Sequence, residues 1–571
     1  MIKVRFVKEN KTIEARPGLS IAALARRAGV FMETPCGGGG TCGKCKVKVV
    51  SQVGLPKSAP LVERGKSSLA GRAWSMSGKD ARTAQDGVVL ACQTRVFGDI
   101  EVYTSVDTEA NKTMQILNEG TALRVELKNA YHKRYLAVEK VTEILADGQR
   151  IGEEQGDTTA LNYGVTIDIG TTTLVAALID MGTGEEIATA SSLNPQCAYA
   201  QDVVSRINYA AHTENGLEIL FSAVRDEFNS LIRELCQQSG IGRQYIYEVI
   251  YAGNTTMLHL ATDTDPYSLG RYPYTPAIEG GNTITAAAAG LEISPFGRVY
   301  LPPIISSYVG PDITAGVLSS ELYKQKKNIL FIDIGTNGEM ILAMGGKMTA
   351  CSTAAGPAFE GMNITFGMRA GNGAIEYFEV DGDKVELKTI GGKKATGICG
   401  SGLFDIVGEL VRVGIIEKSG RLQKKEKCAL PALAERLTKY EGKSAFLVAE
   451  GVYLTQADIR QIQLAKSAIR AGIEAMLGLN EVPLAVLDKV YIAGSFGYHL
   501  RPKSLVNIGI LPAEMQEKIK FVGNTSKTGG NAFLLNTETR ELMEKLVKEI
   551  RPLELSDYPG FEALFVKEMS F

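Results

Sequence analysis

The sequence predicts an α/β protein of several domains, and three features of the 571-residue chain point there. The length exceeds what one hydrophobic core serves, since domains run to about 100–150 residues. The first hundred residues alternate apolar and charged positions around a cysteine-rich loop, and the remainder carries one strand–turn–strand motif twice. Hydrophobic residues make up 45% and charged residues 22%, which is ordinary globular usage. With a net charge of −2, nothing in the composition favours a nucleic-acid or anionic-membrane partner. No signal-peptide run or 18-residue apolar span occurs, so the expected location is the cytoplasm.

The N-terminal elements follow from local pattern. Residues 2–7 and 11–16 read as a hairpin, and "SIAALARRAGV" (Ser20–Val30) as an amphipathic helix with Ser20 as N-cap and Gly29 as its stop. Strand-like "CKVKVV" and "DIEVY" (Asp99–Tyr103) come after it. Between helix and strand stands "TPCGGGGTCGKCKV", a C-x5-C-x2-C spacing of Cys36, Cys42 and Cys45, with Cys92 after a further 46 residues.

Disulfides are not expected of nine cysteines in a reducing compartment. Cys197, Cys236, Cys351, Cys399 and Cys428 are scattered and read as small buried hydrophobes. For the cluster, structural zinc usually takes two C-x2-C knuckles, and only Cys42 and Cys45 form one. A thioredoxin-like redox pair has no use for Cys36 or Cys92. A [2Fe–2S] cluster takes four thiolates, and a loop of Gly37 to Gly40 allows backbone N–H groups to turn toward its sulfides with no Cβ in the way. The favoured metal ligands are therefore Cys36, Cys42, Cys45 and Cys92, with zinc as the alternative.

The repeat comes next. "TIDIGTTTLVAALIDMGTGEEIATASS" (Thr166–Ser192) and "FIDIGTNGEMILAMGGKMTACST" (Phe331–Thr353) share a strand, Asp-Ile-Gly-Thr, a second strand, a glycine turn and a third strand, 165 residues apart. Asp168 and Asp333, at strand ends, can face a Mg²⁺ ion through its waters, because magnesium prefers hard oxygens and dehydrates reluctantly. Gly170 and Gly335 let the turns approach a phosphate, and Thr171, Thr172, Thr173, Thr336 and Asn337 offer donors to its oxygens. Only four histidines occur (His132, His212, His259, His499), all read as structural, so water activation falls to an oxygen acid, for which Asp312 is the candidate.

These segments resemble known families. Residues 1–105 resemble a β-grasp ferredoxin, the five-residue gap being more similar to the adrenodoxin and putidaredoxin branch than to the plant type. The paired turns resemble the superfamily of acetate and sugar kinases, Hsp70 and actin, whose other motifs occur in order. "YVGPDITAGVLSSEL" (Tyr308–Leu322) resembles the first connecting helix, with Ala315 and Gly316 permitting a close crossing. "KVYIAGSFGYHL" (Lys489–Leu500) resembles the adenosine motif, with Gly494, Ser495, Phe496 and Gly497 against the nucleoside, and "GNTSKTGGNAFLL" (Gly523–Leu535) the second connecting segment.

The fusion of the two resembles the reductive activators of corrinoid-dependent enzymes, over nearly the whole chain. "NPQCAYAQDVVSRI" (Asn194–Ile207), "YAGNTTM" (Tyr251–Met257), "AAGPAFEG" (Ala354–Gly361), "ICGSGLFD" (Ile398–Asp405) and "LTQADIRQIQLAKSAIRAG" (Leu454–Gly472) also fit it. Several have structural readings too. Thr455 and Asp458 form a capping box before an apolar stripe of Ile459, Ile462, Ala465, Ile469, Ile473 and Met476, while Asn194, Gln196, Asp202 and Arg206 can cap and solvate a helix. Asn254, Thr255 and Thr256 come directly after a strand, where nucleotide sites lie.

The resemblance implies a ferredoxin-like domain at 1–105, a linker or small middle region at 106–160, short for the family, and an actin-like ATPase at 161–571 with halves 163–330 and 331–571. It implies a [2Fe–2S] cluster, ATP and Mg²⁺ as cofactors. The implied partners are a cobalt(II) corrinoid protein and an upstream low-potential electron donor, and a homodimer is left open. The expected reaction is one-electron reduction of cobalt(II) to cobalt(I), driven by ATP hydrolysis. A small-molecule kinase with a redox-regulatory ferredoxin, and a non-enzymatic electron carrier with a docking module, are the alternatives.

Overall fold

The alternation at the N-terminus has its cause in a sheet with one covered face: Ile2, Val4 and Phe6 are buried while Lys3 and Arg5 are exposed. The computed structural model describes residues 1–28, 30, 32, 45–51, 62–64, 86–104, 125–494 and 500–571. They fall into two compact units, Met1–Thr113 with Pro195–Gln201, and Met114–Asn194 with Asp202–Phe571.

In the first unit, Ile2–Phe6 pairs antiparallel with Lys11–Ala15 and parallel with Ile100–Thr104, which continues to Lys46–Ser51 and Asp86–Leu90. Helix Ile21–Arg27 packs on this sheet through buried Ile21, Ala22, Leu24 and Ala25. Its N-cap is Ser20, whose Oγ accepts the Ala23 N–H at 3.2 Å. The hairpin, helix and strands thus stand where the sequence places them; Gly29 lies outside the described residues.

The second unit begins with an antiparallel sheet of Tyr131–Leu136, Val141–Ala146 and Gln149–Gln155, within the stretch the sequence reads as linker or small middle region. Polar anchors tie it to the rest of the unit: Lys133 Nζ, almost fully buried, donates to Glu154 Oε2 (2.8 Å), the Tyr247 hydroxyl (2.7 Å) and the Leu161 carbonyl (2.9 Å).

Two six-stranded sheets come next. In the first, Tyr163–Ile169 leads into an antiparallel meander with Thr173–Asp180 and Glu186–Leu193, and lies parallel to Ile246–Gly253 on its other side. In the second, Ile329–Ile334 meanders through Gly338–Met344 and Lys347–Thr353 and lies parallel to Lys489–Ala493. The registers match: Asp168 pairs with Ala252 and Asp333 with Ala493. A Cβ on the adjoining Gly253 would sit 2.7 Å from the Ile169 carbonyl, and one on Gly494 2.6 Å from the Ile334 carbonyl. The duplication therefore extends beyond the hairpins to Ala252–Gly253 and Ala493–Gly494, which the register sets in equivalent places beside the paired aspartates.

Helices Pro311–Ser319 and Thr525–Leu535 cross between the sheets. A Cβ on Gly529 would lie 2.1 Å from the Ala315 carbonyl oxygen, one on Gly530 2.3 Å from the Thr166 methyl, and one on Gly316 2.8 Å from the Phe331 ring. The small residues expected at the first connecting helix do permit the close crossing, and the second helix supplies glycines to match. One continuous core joins residues of both halves here, including Ile250, Ile313, Phe331, Ile341, Ala493 and Phe533.

Long helix Gln456–Leu479 carries the expected capping box of Thr455 and Asp458, and its apolar stripe is buried. The same helix also buries Gln463 and Lys466, which donate to the carbonyls of Met569 (2.7 Å), Glu568 (2.7 Å) and Ser570 (2.6 Å), a role the stripe does not reveal. Cys197, Cys351 and Cys399 are buried as expected, whereas Cys236 and Cys428 are only half-buried. Among the described residues no helix is long and apolar enough to cross a membrane.

The crossing is the least forgiving contact of the second unit, because backbone cannot swing aside. Gly529→Val should cost roughly 3 kcal/mol, the upper end of overpacking penalties. Chemical denaturation monitored by far-ultraviolet circular dichroism will read this; wild-type stability would mean the helices separate freely.

Candidate functional site

The first unit brings two of the four expected cluster ligands together. Cys45 immediately precedes strand Lys46–Ser51 and Cys92 lies just beyond its neighbour Asp86–Leu90, with Lys46 opposite Leu90 in register. Their Sγ atoms stand 3.2 Å apart, well beyond the ~2.05 Å of a disulfide. Two unbonded thiols at that separation suit a shared metal. Cys36, Cys42 and Gly37 to Gly40 lie outside the described residues.

In the second unit, the ends of the paired strands open onto one cleft. It is lined by the predicted Asp168, Gly170, Thr171, Thr172, Thr173, Asp312, Asp333, Gly335, Thr336, Asn337 and Gly494, and by Asn254, Glu339, Glu360, Asn524 and Ser526 as well. Ser495, Phe496 and Gly497 lie outside the described residues. Of the segment 254–256, only Asn254 lines the cleft; buried Thr255 instead donates to the Ser306 carbonyl at 2.8 Å.

The first turn is braced from behind. Asn194 Nδ2 donates to the Gly170 carbonyl at 2.9 Å, the fully buried Arg206 donates to the Thr171 carbonyl, and Asn254 Nδ2 donates to Thr171 Oγ1 at 3.1 Å. Asp202 caps helix Val203–His212 as expected, but Arg206 on that helix points inward. At Gly170 a Cβ would meet the Thr173 carbonyl at 2.4 Å, so the turn itself demands glycine. At Gly335 the nearest atom stands 3.8 Å away, so packing leaves room there that a ligand can use.

Asp168 is held by the second connecting segment: Asn524 Nδ2 donates to Oδ2 and Ser526 Oγ to Oδ1, both at 2.8 Å. Next along, Lys527 grips Glu186 at 2.9 and 3.0 Å. Across the cleft, Asp333 pairs with Glu339 in register, Asn337 Nδ2 donates to Glu339 Oε1 at 3.1 Å, and Thr336 Oγ1 approaches Glu360 Oε1 at 2.7 Å. Thr172 and Thr336 hydroxyls meet at 3.0 Å, joining the two turns directly.

Carboxylates dominate this cleft, and no lysine, arginine or histidine is among its described lining residues. Burial pushes Asp312 up to about 7, with the Ile313 N–H partly opposing and the charge of Asp168 adding. Burial, then the charges of Asp312 and Asp168, raise Asp333 well above 3.8. Glu339 is raised by burial and by Asp312 and Asp333. Burial also raises Asp168, opposed by its Asn524 and Ser526 hydrogen bonds and by Lys527. Such crowding favours a cation. Among the described residues no three His, Cys, Asp or Glu are arranged to ligate a metal directly. Fully buried His259 lies elsewhere, accepting the Ala277 N–H at Nε2 (3.0 Å) with Nδ1 2.7 Å from the Thr255 carbonyl, a structural role as expected.

Comparison with known proteins sharpens this picture. Residues 6–97 match the 2Fe-2S iron-sulfur cluster binding domain, 163–325 the RACo middle region, and 327–571 the C-terminal ASKHA domain of RACo. The chain is 32% identical over 418 residues to the corrinoid activation enzyme RamQ of Eubacterium limosum, covering 72% of this chain and 70% of that protein. It is 24% identical over 442 residues to the [Co(II) methylated amine-specific corrinoid protein] reductase of Methanosarcina barkeri, covering 72% and 77%. A solved reductive activator for corrinoid, iron-sulfur protein superposes with a TM-score of 0.72 at 31% identity, covering 100% of this chain and 98% of that one.

The raised Asp312 carboxyl has a consequence for stability. Between its ordinary value of 3.8 and about 7 the folded protein holds a proton that the unfolded chain has released. That contribution is complete below the ordinary value and is lost as pH rises through about 7. Without nucleotide or Mg²⁺, Asp312→Asn should melt higher than wild type at about pH 8, with the gap closing toward about pH 5. An equal gap at both pH values would show that Asp312 does not titrate in this window.

Proposed function

The chain belongs to the family of reductive activators of corrinoid proteins, and from that premise we propose that its two sites divide the work of reducing cobalt(II) between electron supply and energy supply. The protein is an ATP-dependent iron–sulfur reductase that returns a corrinoid protein from cobalt(II) to cobalt(I). Cys36, Cys42, Cys45 and Cys92 hold the [2Fe–2S] cluster, and the pairing of Cys45 with Cys92 supports that set. When bound, the cluster supplies single electrons, which an upstream low-potential donor must replenish.

The observation that carries the ATP reading is the acid-lined cleft between the two Asp-Ile-Gly-Thr turns. A polyphosphate cannot enter such a cleft alone. Asp168 and Asp333 would hold Mg²⁺, which would supply charge neutralisation to the phosphates; Gly170 and Gly335 would admit those phosphates, and Thr171, Thr172, Thr173, Thr336 and Asn337 would position them. Gly494, Ser495, Phe496 and Gly497 would bind the nucleoside, and Asp312 lines the same cleft.

Coupling is needed because the transfer runs uphill. Plant-type ferredoxin clusters lie near roughly −400 mV, and each ~59 mV of deficit costs about tenfold for one electron. Nucleotide displaces the equilibrium only by binding two conformations with different affinity. The crossing helices carry Asp312 and Ser526 into the cleft from a core shared by both halves, so nucleotide bound there acts on the arrangement of both sheets. By linkage, partner and nucleotide change each other's affinity by the same factor.

Anaerobic mixing with a cobalt(II) corrinoid protein, with and without ATP, tests the reading: cobalt(I) absorbance should appear only with ATP. Cys92→Ser should hydrolyse ATP yet reduce no cobalt. Asp333→Ala should lose Mg²⁺-dependent hydrolysis by about 100-fold or more while keeping the cluster's visible spectrum. Full hydrolysis in Asp333→Ala would remove the second aspartate from the site.

A further inference from the structure

Hydrolysis requires that the attacking water give up a proton, and the bonds across the cleft run in a definite direction. An ionised carboxylate only accepts hydrogen bonds, so at the 2.7 Å contact Thr336 Oγ1 donates to Glu360 Oε1. A threonine hydroxyl has one proton, and that of Thr336 is committed to Glu360. At the 3.0 Å contact between the two hydroxyls, Thr172 is therefore the donor. The chain of donation runs from Thr172, on the first turn, through Thr336, on the second, to Glu360.

Its geometry is built into the fold. Thr172 and Thr336 are 6% and 5% exposed, so bulk water does not replace their partners. Glu360 ends a short helical turn, Pro357–Glu360, flanked by Gly356 and Gly361, both at φ +76°. The adjacent Phe359 is fully buried, with its ring centroid 4.5 Å from that of Phe404. That anchor keeps the Glu360 carboxylate at the cleft wall.

We propose that Thr172, Thr336 and Glu360 form a proton relay for ATP hydrolysis, with Glu360 as its terminal acceptor. Water attacks the γ-phosphorus as the bond to the β-phosphate bridging oxygen breaks, and that oxygen leaves on ADP with the electron pair. The water's proton passes to Thr172 Oγ1 while the Thr172 proton moves to Thr336 and the Thr336 proton to Glu360. Glu360 ends as the carboxylic acid and, being only partly buried, returns the proton to solvent. This rests on the ATPase reading above and names the base within it.

The test separates relay from mere bridging. In Glu360→Gln the amide oxygen still accepts the Thr336 hydrogen bond but takes no proton. Glu360→Gln and Thr336→Val should each lower kcat for ATP hydrolysis about 100-fold, the usual worth of a general base. ATP affinity, read by equilibrium binding to the full chain, should be unchanged in Glu360→Gln, and Thr336→Ser, which restores the hydroxyl, should recover most of the rate. Wild-type kcat in Glu360→Gln overturns the proposal, and so does Thr336→Ser as slow as Thr336→Val. If Thr336→Val is slow but Glu360→Gln is not, the contact is a bridge and the relay is wrong. Wild-type protein assayed alongside distinguishes this from failure of the parent reading, which fails only if the wild type itself hydrolyses no ATP.

Discussion

The crossing of the two connecting helices is the constraint on which the second unit depends. Gly529 lies against the Ala315 backbone so closely that a single added methyl group would overlap the carbonyl oxygen. Contact at that range fixes the angle and the register of the crossing together. Aligned at the crossing, "DITAG" (312–316) corresponds to "SKTGG" (526–530), so Asp312 and Ser526 occupy equivalent places on the two helices and both reach the cleft. Asp168 receives Ser526 and Asn524 because the second helix begins where this packing puts it.

Charge gives that architecture its sensitivity. Burying carboxylates beside one another is costly, and the raised positions of Asp312, Asp333 and Glu339 express the cost. A cation held among these carboxylates would relieve it. This is the kind of differential interaction a population shift requires.

Chain separation decides which features are legible in the sequence and which are hidden. The Asp-Ile-Gly-Thr turns, the capping box at Thr455 and the small residues at Ala315 and Gly316 are local signals, readable from neighbours in the chain. Asn524, Ser526, Glu339 and Glu360 enter the site through pairings that only tertiary structure creates; Ser526 meets Asp168 across 358 residues. Arg206 misleads in the other direction: a charged residue on an amphipathic helix reads as solvated, yet it is fully buried because the Thr171 carbonyl accepts from it. The three-stranded sheet at 131–155 is hard to read because its strands mix charged and apolar residues, and its anchors, such as Lys133, bury a cation by pairing it with Glu154. One further local signal is present in the chain: "AG" after an apolar strand occurs in both halves, at Ala252–Gly253 and Ala493–Gly494.

The relay and the duplication then explain one another. Thr172 belongs to the first copy of the turn, Thr336 and Glu360 to the second, and the donation chain exists only while the turns stand at hydrogen-bond distance. Separation of the turns by an ångström or two breaks it, since such bonds weaken steeply with distance and angle. Hydrolysis by this relay therefore requires the two turns to stay at that distance. An ATPase built this way cannot hydrolyse its nucleotide through the relay with the turns apart. Nor is a separate catalytic loop needed to time the chemistry, because the two halves of the base are carried by the two halves of the fold.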